Sequence, residues 1–212
     1  MNPRTVREEI AGPAGRIECA IDRPEGTPRG VAVVCHPHPQ FGGTLDNKVV
    51  QMVARTFLQL GWSSVRFNFR GIGGSEGSWD EGRGEVDDAL AVVRAVRTRS
   101  EFAGLPWALA GFSFGGYVAA TVADQLSEGE KPRRLVLVGP STEKQAVPRV
   151  PADTVVLHGE VDDVVPLSAT LAWARPQSLP VIVFPGVGHF FHGQLTTLKN
   201  VLLRELHDLA AV

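Results

Sequence analysis

A serine held between two glycines is the feature that most constrains how this chain can fold. Residues 111–115 read Gly-Phe-Ser-Phe-Gly, after a short apolar run typical of a buried strand and before a stretch with helical character. Glycines two positions before and two positions after Ser113 leave room for a tight strand-to-helix turn, in which the serine adopts a strained backbone conformation. In such a turn the hydroxyl of Ser113 projects beyond the end of a sheet, and the first N–H groups of the helix face the same place.

The same pattern also has a plain structural explanation. Five-residue patterns with two glycines occur by chance, and a glycine-rich link between a strand and a helix can be nothing more than a tight turn. The interpretation of Ser113 therefore depends on what the rest of the chain places around it.

Composition restricts the class of protein. A chain of 212 residues is typical of one domain, which we expect to span residues 1–212. A net charge of −2 provides no positive surface for nucleic acid or for an anionic membrane. The two cysteines form neither a disulfide framework nor a zinc-binding pattern. No apolar stretch is long enough to span a bilayer, and the N-terminus lacks the apolar core of a secretory signal. We therefore expect a cytoplasmic protein with no nucleic-acid or membrane partner, either a monomer or a homodimer.

Apolar runs with strand character alternate with segments of helical periodicity. The predicted strands are 6–11, 16–21, 31–35, 64–69, 107–110, 135–138, 154–157 and 181–184. The predicted helices are 49–60, 86–97, 117–126, 167–174 and 194–209. The first two strands form an antiparallel hairpin, and the later alternation predicts an α/β fold with a mostly parallel sheet and helices on both faces. The connection 139–152 is too short to contain a helical cap.

Two further residues provide what a reactive serine requires. A serine hydroxyl is a weak nucleophile near neutral pH, so it needs a base, and the base needs a carboxylate to orient it. In open α/β sheets such groups lie just beyond the C-terminal ends of strands. Asp162 follows the predicted strand 154–157, and His189 follows the predicted strand 181–184. These positions predict Ser113 as the nucleophile, His189 as the base and Asp162 as the orienting acid.

Each of these assignments has an alternative. Asp162 and its neighbour Asp163 can both serve as N-caps of the next helix, and we expect one of them to do so. The spacing after the strand favours Asp162 as the acid. His189 can be an ordinary loop histidine, although it lies among glycines and aromatic residues where a polar ring has little structural role. His192 is the second candidate for the base.

A site of this kind also needs hydrogen-bond donors for the charge that develops on a carbonyl oxygen. One donor is predicted to be the backbone N–H of Phe114, directly after Ser113. The other should come from the turn 36–44, which reads His-Pro-His-Pro-Gln-Phe-Gly-Gly-Thr. Its prolines have no N–H, which leaves His38, Gln40 and Phe41, and we favour Gln40 or Phe41 because the glycines that follow let the backbone approach a ligand. The two histidines of this turn lack a carboxylate cluster, so no metal is predicted.

The loop after the predicted strand 64–69 is rich in glycine but fits neither common phosphate-binding pattern. We interpret it as a tight turn at the rim of the site, in which Arg70 anchors neighbouring loops. Trp79 either lines the mouth of the pocket or covers the core.

Five segments together resemble the α/β-hydrolase superfamily, in particular its small, capless bacterial members of the dienelactone-hydrolase-like group that carry a His-Pro-His-Pro motif. The segments are HPHPQFGGT at 36–44, FNFRGIGGS at 67–75, GFSFGG at 111–116, HGEVD at 158–162 and GHFFHG at 188–193. They cover nearly the whole chain. The resemblance implies Ser113, Asp162 and His189 as a catalytic triad, and hydrolysis of carboxylic ester or thioester bonds without a cofactor. Dienelactone hydrolases proper use a cysteine nucleophile where this chain has Ser113, which leaves the natural substrate open.

The leading hypothesis is a serine esterase or thioesterase that acts on a small or medium acyl substrate through an acyl-enzyme intermediate. A non-catalytic binding protein of the same fold is the alternative from another class, and the complete set of serine, aspartate and histidine counts against it. Acyl transfer, peptide hydrolysis and cofactor-free haloperoxidase activity use the same three groups and stay open as alternatives.

Overall fold

An eight-stranded sheet runs through the computed structural model, which describes residues 5–210. The strands are β1 (Val6–Gly12), β2 (Gly15–Asp22), β3 (Val31–Cys35), β4 (Ser63–Phe67), β5 (Trp107–Phe112), β6 (Arg134–Val138), β7 (Val155–Gly159) and β8 (Ile182–Phe184). The helices are α1 (Lys48–Gln59), α2 (Arg83–Arg97), α3 (Phe114–Gln125), α4 (Leu167–Ala174) and α5 (Leu195–Glu205). The strand order is β1-β2-β4-β3-β5-β6-β7-β8. The hairpin β1–β2 and the pair β2–β4 are antiparallel, whereas β4, β3, β5, β6, β7 and β8 run parallel. The predicted α/β-hydrolase fold is confirmed.

Helices cover both faces of the sheet, which explains why the central strands are apolar throughout. In β3, the side chains of Val33 and Cys35 join the core that includes α2 and α3, while Ala32 and Val34 join the core that includes α1 and α5. Successive side chains of a strand point to opposite faces, so a strand covered on both sides needs an unbroken apolar sequence. Every residue of β3 is accordingly buried.

Several element boundaries differ from the prediction; α2 and α3, for example, each begin three residues earlier than predicted. Strand β4 ends at Phe67 rather than at residue 69, because the chain turns there to other partners: the side-chain oxygen of Asn68 accepts from Leu45 N–H at 2.8 Å, and Phe69 N–H donates to the ring of His36 at 3.0 Å. The last helix ends at Glu205 and is followed by a short 3₁₀ turn rather than by one more turn of α-helix.

The connection between β6 and β7 contains neither helix nor strand, as its length predicts. It is fastened to α4 at two points. The indole Nε1–H of Trp173 donates to the carbonyl of Val147 at 3.0 Å, and the hydroxyls of Thr142 and Thr170 are 2.9 Å apart. The connection therefore lies against the body of the fold.

His36 ties the end of β3 to the loop that follows β4. Its Nε2 accepts the hydrogen bond from Phe69 N–H at 3.0 Å, so the proton is on Nδ1, which donates to the carbonyl of Pro37 at 2.6 Å. Burial lowers the pKa of His36 to about 3. The ring is thus neutral at neutral pH, and it works as a structural connector.

The buried His36 makes the stability of the fold depend on pH. An unfolded histidine binds a proton below about pH 6.5, whereas folded His36 stays neutral until about pH 3. The unfolded chain therefore binds more protons in this window, and stability falls as the pH decreases through it, by roughly 1.4 kcal/mol per pH unit for one group. We expect denaturant titrations between pH 7 and pH 4 to give a shallower dependence for His36→Gln than for the parent protein. His207→Gln, at an exposed histidine, should keep the parent slope, and equal slopes in all three proteins would contradict the assignment.

Candidate active site

Ser113 occupies a strained turn between β5 and α3. Its backbone angles are φ 57° and ψ −120°, a combination that residues other than glycine rarely adopt. Hydrogen bonds hold both sides of this residue: Ser113 N–H donates to the carbonyl of Val138 at 2.9 Å, and the carbonyl of Ser113 accepts from Ser141 N–H at 3.2 Å. Such a conformation costs on the order of 1–3 kcal/mol and persists because its surroundings enforce it.

The two glycines of the turn are required by contacts between backbones. A side-chain carbon at Gly111 would overlap the carbonyl group of Gly115, and one at Gly115 would overlap the carbonyl oxygens of Cys35 and His36. Helix α3 therefore begins in direct contact with the end of β3. The steric interpretation of the glycine pattern is confirmed.

Ser113, His189 and Asp162 form one chain of hydrogen bonds. The Oγ of Ser113 is 2.9 Å from Nε2 of His189, and Nδ1 of His189 is 2.7 Å from Oδ2 of Asp162. An ionised carboxylate only accepts, so the proton of a neutral His189 lies on Nδ1 and the lone pair of Nε2 faces the serine hydroxyl. In this arrangement Ser113 can pass its proton to His189.

Asp162 is both the carboxylate beside His189 and the residue that closes the turn before α4. Its Oδ1 accepts the backbone N–H groups of Val164 at 2.9 Å and Val165 at 2.7 Å. Burial by itself raises the pKa of Asp162, but the hydrogen bonds from His189, Val165 and Val164 outweigh it and hold the pKa below its usual range. The carboxyl group is therefore ionised at neutral pH. Its neighbour Asp163 is exposed. The expectation that one of the two residues caps the next helix is wrong, because α4 begins at Leu167 after Pro166 and has no side-chain cap.

A second buried histidine lies next to Asp162. The Nε2 of His158 is 2.9 Å from the carbonyl of Val165 and 3.4 Å from Oδ2 of Asp162. Burial lowers the pKa of His158, so the ring is neutral and Nε2–H donates to Val165. In the sequence, His158 is recognisable only as the first residue of the segment HGEVD. Its location in the buried strand β7 is the signal that indicates a structural role.

An aromatic anchor fixes the loop that carries His189. Phe191 has φ 52°, in the left-handed region, yet its side chain is fully buried with its ring 5.2 Å from that of Phe184. Burial of the ring offsets the cost of the unusual backbone, which is on the order of 1 kcal/mol. The ring of Phe112 lies 4.9 Å from that of His189. His192, the second candidate for the base, is exposed and does not join the hydrogen-bonded chain.

The expected second donor for a carbonyl oxygen needs correction. Gln40 N–H donates to Nδ1 of His38 at 3.3 Å, and Phe41 N–H donates to the carbonyl of His38 at 3.1 Å, because Pro39 starts a 3₁₀ turn that uses both groups. Neither Gln40 nor Phe41 thus has its N–H available. Of the three residues considered, His38 keeps a backbone N–H that the hydrogen bonds of the turn do not use. Phe114 is the first residue of α3, where an N–H has no carbonyl one turn earlier to bond.

A cavity of about 380 Å³ opens at Ser113 and His189. Its lining includes Phe41, which is 82% exposed, and Phe190, which is 44% exposed, so much of its rim is apolar and open to water. Lys144 provides a positive charge in the lining.

Arg70 and Trp79, both in the loop between β4 and α2, support the structure around the cavity. The guanidinium of Arg70 binds the carboxylate of Asp88 in α2 through Nε at 3.0 Å and Nη2 at 2.8 Å. Arg70 thus anchors its own loop to a helix, whereas the prediction was that it anchors neighbouring loops. The ring of Trp79 lies 4.6 Å from that of His38 and 5.2 Å from that of Phe114. Trp79 thus supports the wall of the site.

Within residues 5–210, no three His, Cys, Asp or Glu side chains are grouped so that they could hold a metal ion. No helix of this part of the chain has the length and apolar character needed to cross a membrane.

The fold and the reactive-serine geometry define a serine hydrolase of the α/β superfamily. The chain belongs to the family described as serine aminopeptidase, S33, whose model matches residues 26–153. A solved structure from Xanthomonas campestris, described as an α/β serine hydrolase without lid, is 34% identical, covers 98% of this chain and 96% of its own, and has a TM-score of 0.89. An α/β serine hydrolase homologue from Coxiella burnetii is 39% identical, covers 95% of this chain and 97% of its own, and has a TM-score of 0.86.

A curated relative, an uncharacterized protein of Rickettsia prowazekii, is 40% identical over 108 residues, which are 51% of this chain and 45% of that protein. The match therefore spans less than half the length of the curated relative. The narrower likeness to the dienelactone-hydrolase-like group stays a prediction.

The contact of Gly115 with β3 leads to a stability prediction. In Gly115→Ala the added carbon collides with the backbone of Cys35 and His36, and overpacking of this kind costs roughly 1–3 kcal/mol or more. Gly129→Ala is the matched control, because a side-chain carbon at this exposed glycine meets nothing within 4 Å. Urea unfolding should show a loss of at least about 1 kcal/mol for the first variant and a change within about 0.5 kcal/mol for the second. Equal stabilities would contradict the steric role of Gly115.

Proposed function

We propose that this protein is a serine esterase or thioesterase that cleaves small to medium acyl substrates through an acyl-enzyme on Ser113. The observation that carries the proposal is the hydrogen-bonded chain from Ser113 through His189 to Asp162, located at an open cavity of about 380 Å³. The uncapped connection between β6 and β7 offers no cover for a long acyl chain, which favours short to medium substrates.

In the acylation step, His189 accepts the proton of Ser113 while Oγ attacks the carbonyl carbon of the substrate. The positive charge that forms on His189 is stabilised by the carboxylate of Asp162. The backbone N–H groups of Phe114 and His38 are the proposed donors to the oxygen that becomes negative. When the tetrahedral intermediate collapses, the bond to the alcohol or thiol breaks and His189 protonates the leaving oxygen or sulfur.

In the deacylation step, a water molecule enters through the open cavity and attacks the acyl carbon. His189 takes one proton from this water and later returns it to Oγ of Ser113. The products are the free acid and the regenerated serine, so no cofactor is consumed.

Aminopeptidase activity is the second candidate, because the family model is described by that activity. An aminopeptidase must accommodate the protonated amino group at the end of a peptide, which a carboxylate would stabilise. Among the described residues that line the cavity there is no carboxylate, and Lys144 places a positive charge there. We therefore favour acyl esters and thioesters over aminoacyl amides. A panel of nitrophenyl esters, acyl thioesters and aminoacyl nitroanilides distinguishes the two activities.

Removal of the nucleophile should abolish turnover without unfolding the protein. Ser113→Ala cannot form the acyl-enzyme, so we expect kcat to fall by several orders of magnitude, roughly 10⁶-fold in comparable systems, while the circular dichroism spectrum is retained. A fluorophosphonate probe should label Ser113 in the parent protein. The control is Ser64→Ala, at a buried serine of β4, which should keep both labelling and turnover. Near-normal turnover by Ser113→Ala would contradict the assignment.

Neutralising the orienting acid should disturb the proton position on His189. In Asp162→Asn the amide no longer holds the Nδ1–H tautomer, and we expect kcat to fall about 10⁴-fold. The adjacent variant Asp163→Asn removes the same charge from an exposed side chain, and its kcat should stay within a few-fold of the parent value. Steady-state kinetics on one ester measures both variants. The opposite ranking would assign the acid to Asp163.

A further inference from the structure

Lys144 is one of the residues that line the cavity at Ser113. Its side chain lines the space above Ser113, and no carboxylate in the described residues 5–210 forms a salt bridge with it. Lys131, by contrast, pairs with Glu128 at 2.6 Å. A positive charge left unpaired beside a reactive serine is available to a ligand.

The backbone around Lys144 is fastened to the nucleophile itself. Ser141 N–H donates to the carbonyl of Ser113 at 3.2 Å, and Gln145 N–H donates to the carbonyl of Ser141 at 3.1 Å, so Lys144 sits in a closed turn. The hydroxyl of Thr142 is bonded to that of Thr170 in α4, which anchors the same turn from the other side. These hydrogen bonds therefore fix the position of the Lys144 backbone relative to Ser113.

The described residues that line the cavity include no carboxylate, and Glu143, the chain neighbour of Lys144, is exposed and is not among them. The nearest functional carboxylate, Asp162, is buried and bonded to His189 and to two backbone N–H groups. Burial lowers the pKa of His38, and the positive charge of Lys144 lowers it further. The electrostatic field of Lys144 thus reaches His38, which lines the same cavity as Ser113.

We propose that Lys144 recognises an anionic group of the substrate, so that the preferred substrates are esters or thioesters that carry a carboxylate or a similar anion near the bond to be cleaved. This inference rests on the proposed esterase function and specifies its substrate class. The exposed rings of Phe41 and Phe190 provide an apolar surface for the part of the substrate between the anion and the reacting carbonyl. Because Lys144 is exposed, its contribution is that of a partly solvated charge pair, about tenfold in kcat/KM.

The test uses two pairs of esters that differ in one charge. In the first pair the acyl group ends in a carboxylate or in its methyl ester: 4-nitrophenyl hydrogen adipate against 4-nitrophenyl methyl adipate. In the second pair the charge is on the leaving group: acetyl esters of 4-hydroxy-3-nitrobenzoic acid and of its methyl ester. We expect the parent protein to prefer the anionic member of at least one pair about tenfold in kcat/KM, and the pair that responds shows on which side of the bond the anion binds.

Variants at one position then assign the preference to Lys144. Lys144→Gln should reduce the ratio of anionic to neutral ester about tenfold, Lys144→Glu should invert it, and Lys144→Arg should keep most of it. Lys131→Gln is the matched control: it removes the same charge before the first residue of β6, at the opposite end of the sheet, and should keep the parent ratio. The ratio should also shrink as salt is raised from about 0.05 M to about 0.5 M.

The outcomes separate this inference from the proposed function. The anion site is overturned if kcat/KM is equal within both pairs, or if Lys144→Gln leaves the ratio of anionic to neutral ester unchanged. In either case, turnover that depends on Ser113 still upholds the esterase function. If neither pair is turned over, the proposed function fails, and calorimetric titration with adipate then tests the anion site alone. Weaker adipate binding by Lys144→Gln than by the parent protein upholds the site, and equal binding overturns it.

Discussion

The contact between the start of α3 and the end of β3 is the constraint on which the site depends. It exists because Gly115 lets the helix lie directly on the carbonyls of Cys35 and His36. The same contact brings Ser113, with φ 57°, next to the turn that follows β3. The strained residue is stabilised from outside, by Val138 on one side and by Ser141 on the other. The chain thus keeps an unfavourable local conformation through favourable contacts of its neighbours.

Three buried histidines near this turn show how the environment assigns different roles to one residue type. Both ring nitrogens of His36 are bonded to backbone groups, and the ring of His158 is bonded to the carbonyl of Val165. Burial lowers the pKa of each of these two, which keeps them neutral and structural. His189 differs because one nitrogen is bonded to the Asp162 carboxylate and the other faces a hydroxyl at the cavity. Only this combination leaves a lone pair in position to accept a proton from Ser113.

Much of this arrangement could be predicted from the sequence, because strand ends are visible as ends of apolar runs. Ser113, Asp162 and His189 each follow such a run, and the carboxyl ends of parallel strands meet at one edge of a sheet. The backbone donors of the turn 36–44 could not be predicted in the same way, since their direction depends on hydrogen bonds inside the turn. The bond from Gln40 N–H to the ring of His38 is one of these, and nothing in the residue types indicates it.

The anchor at Phe191 and the double role of Asp162 cannot be predicted from the sequence for a related reason. A left-handed phenylalanine is not recognisable without knowing that its ring is buried, and residue types alone do not show that one carboxylate accepts from both a histidine and two backbone N–H groups. The catalytic roles, the cytoplasmic location and the substrate class stay predictions or proposals, since they concern chemistry and context rather than backbone geometry.

The position of β8 has a consequence for how activity would be lost. This strand has three residues, lies at the edge of the sheet, and is hydrogen-bonded to one neighbour, β7. His189 lies in the loop that follows β8, whereas Ser113 directly follows β5, which is paired on both sides in the middle of the sheet. Edge elements open locally at a lower free energy than central ones. A partial opening at β8 would separate the base from an intact nucleophile, so a warmed sample would lose turnover while most of its helical signal was still present.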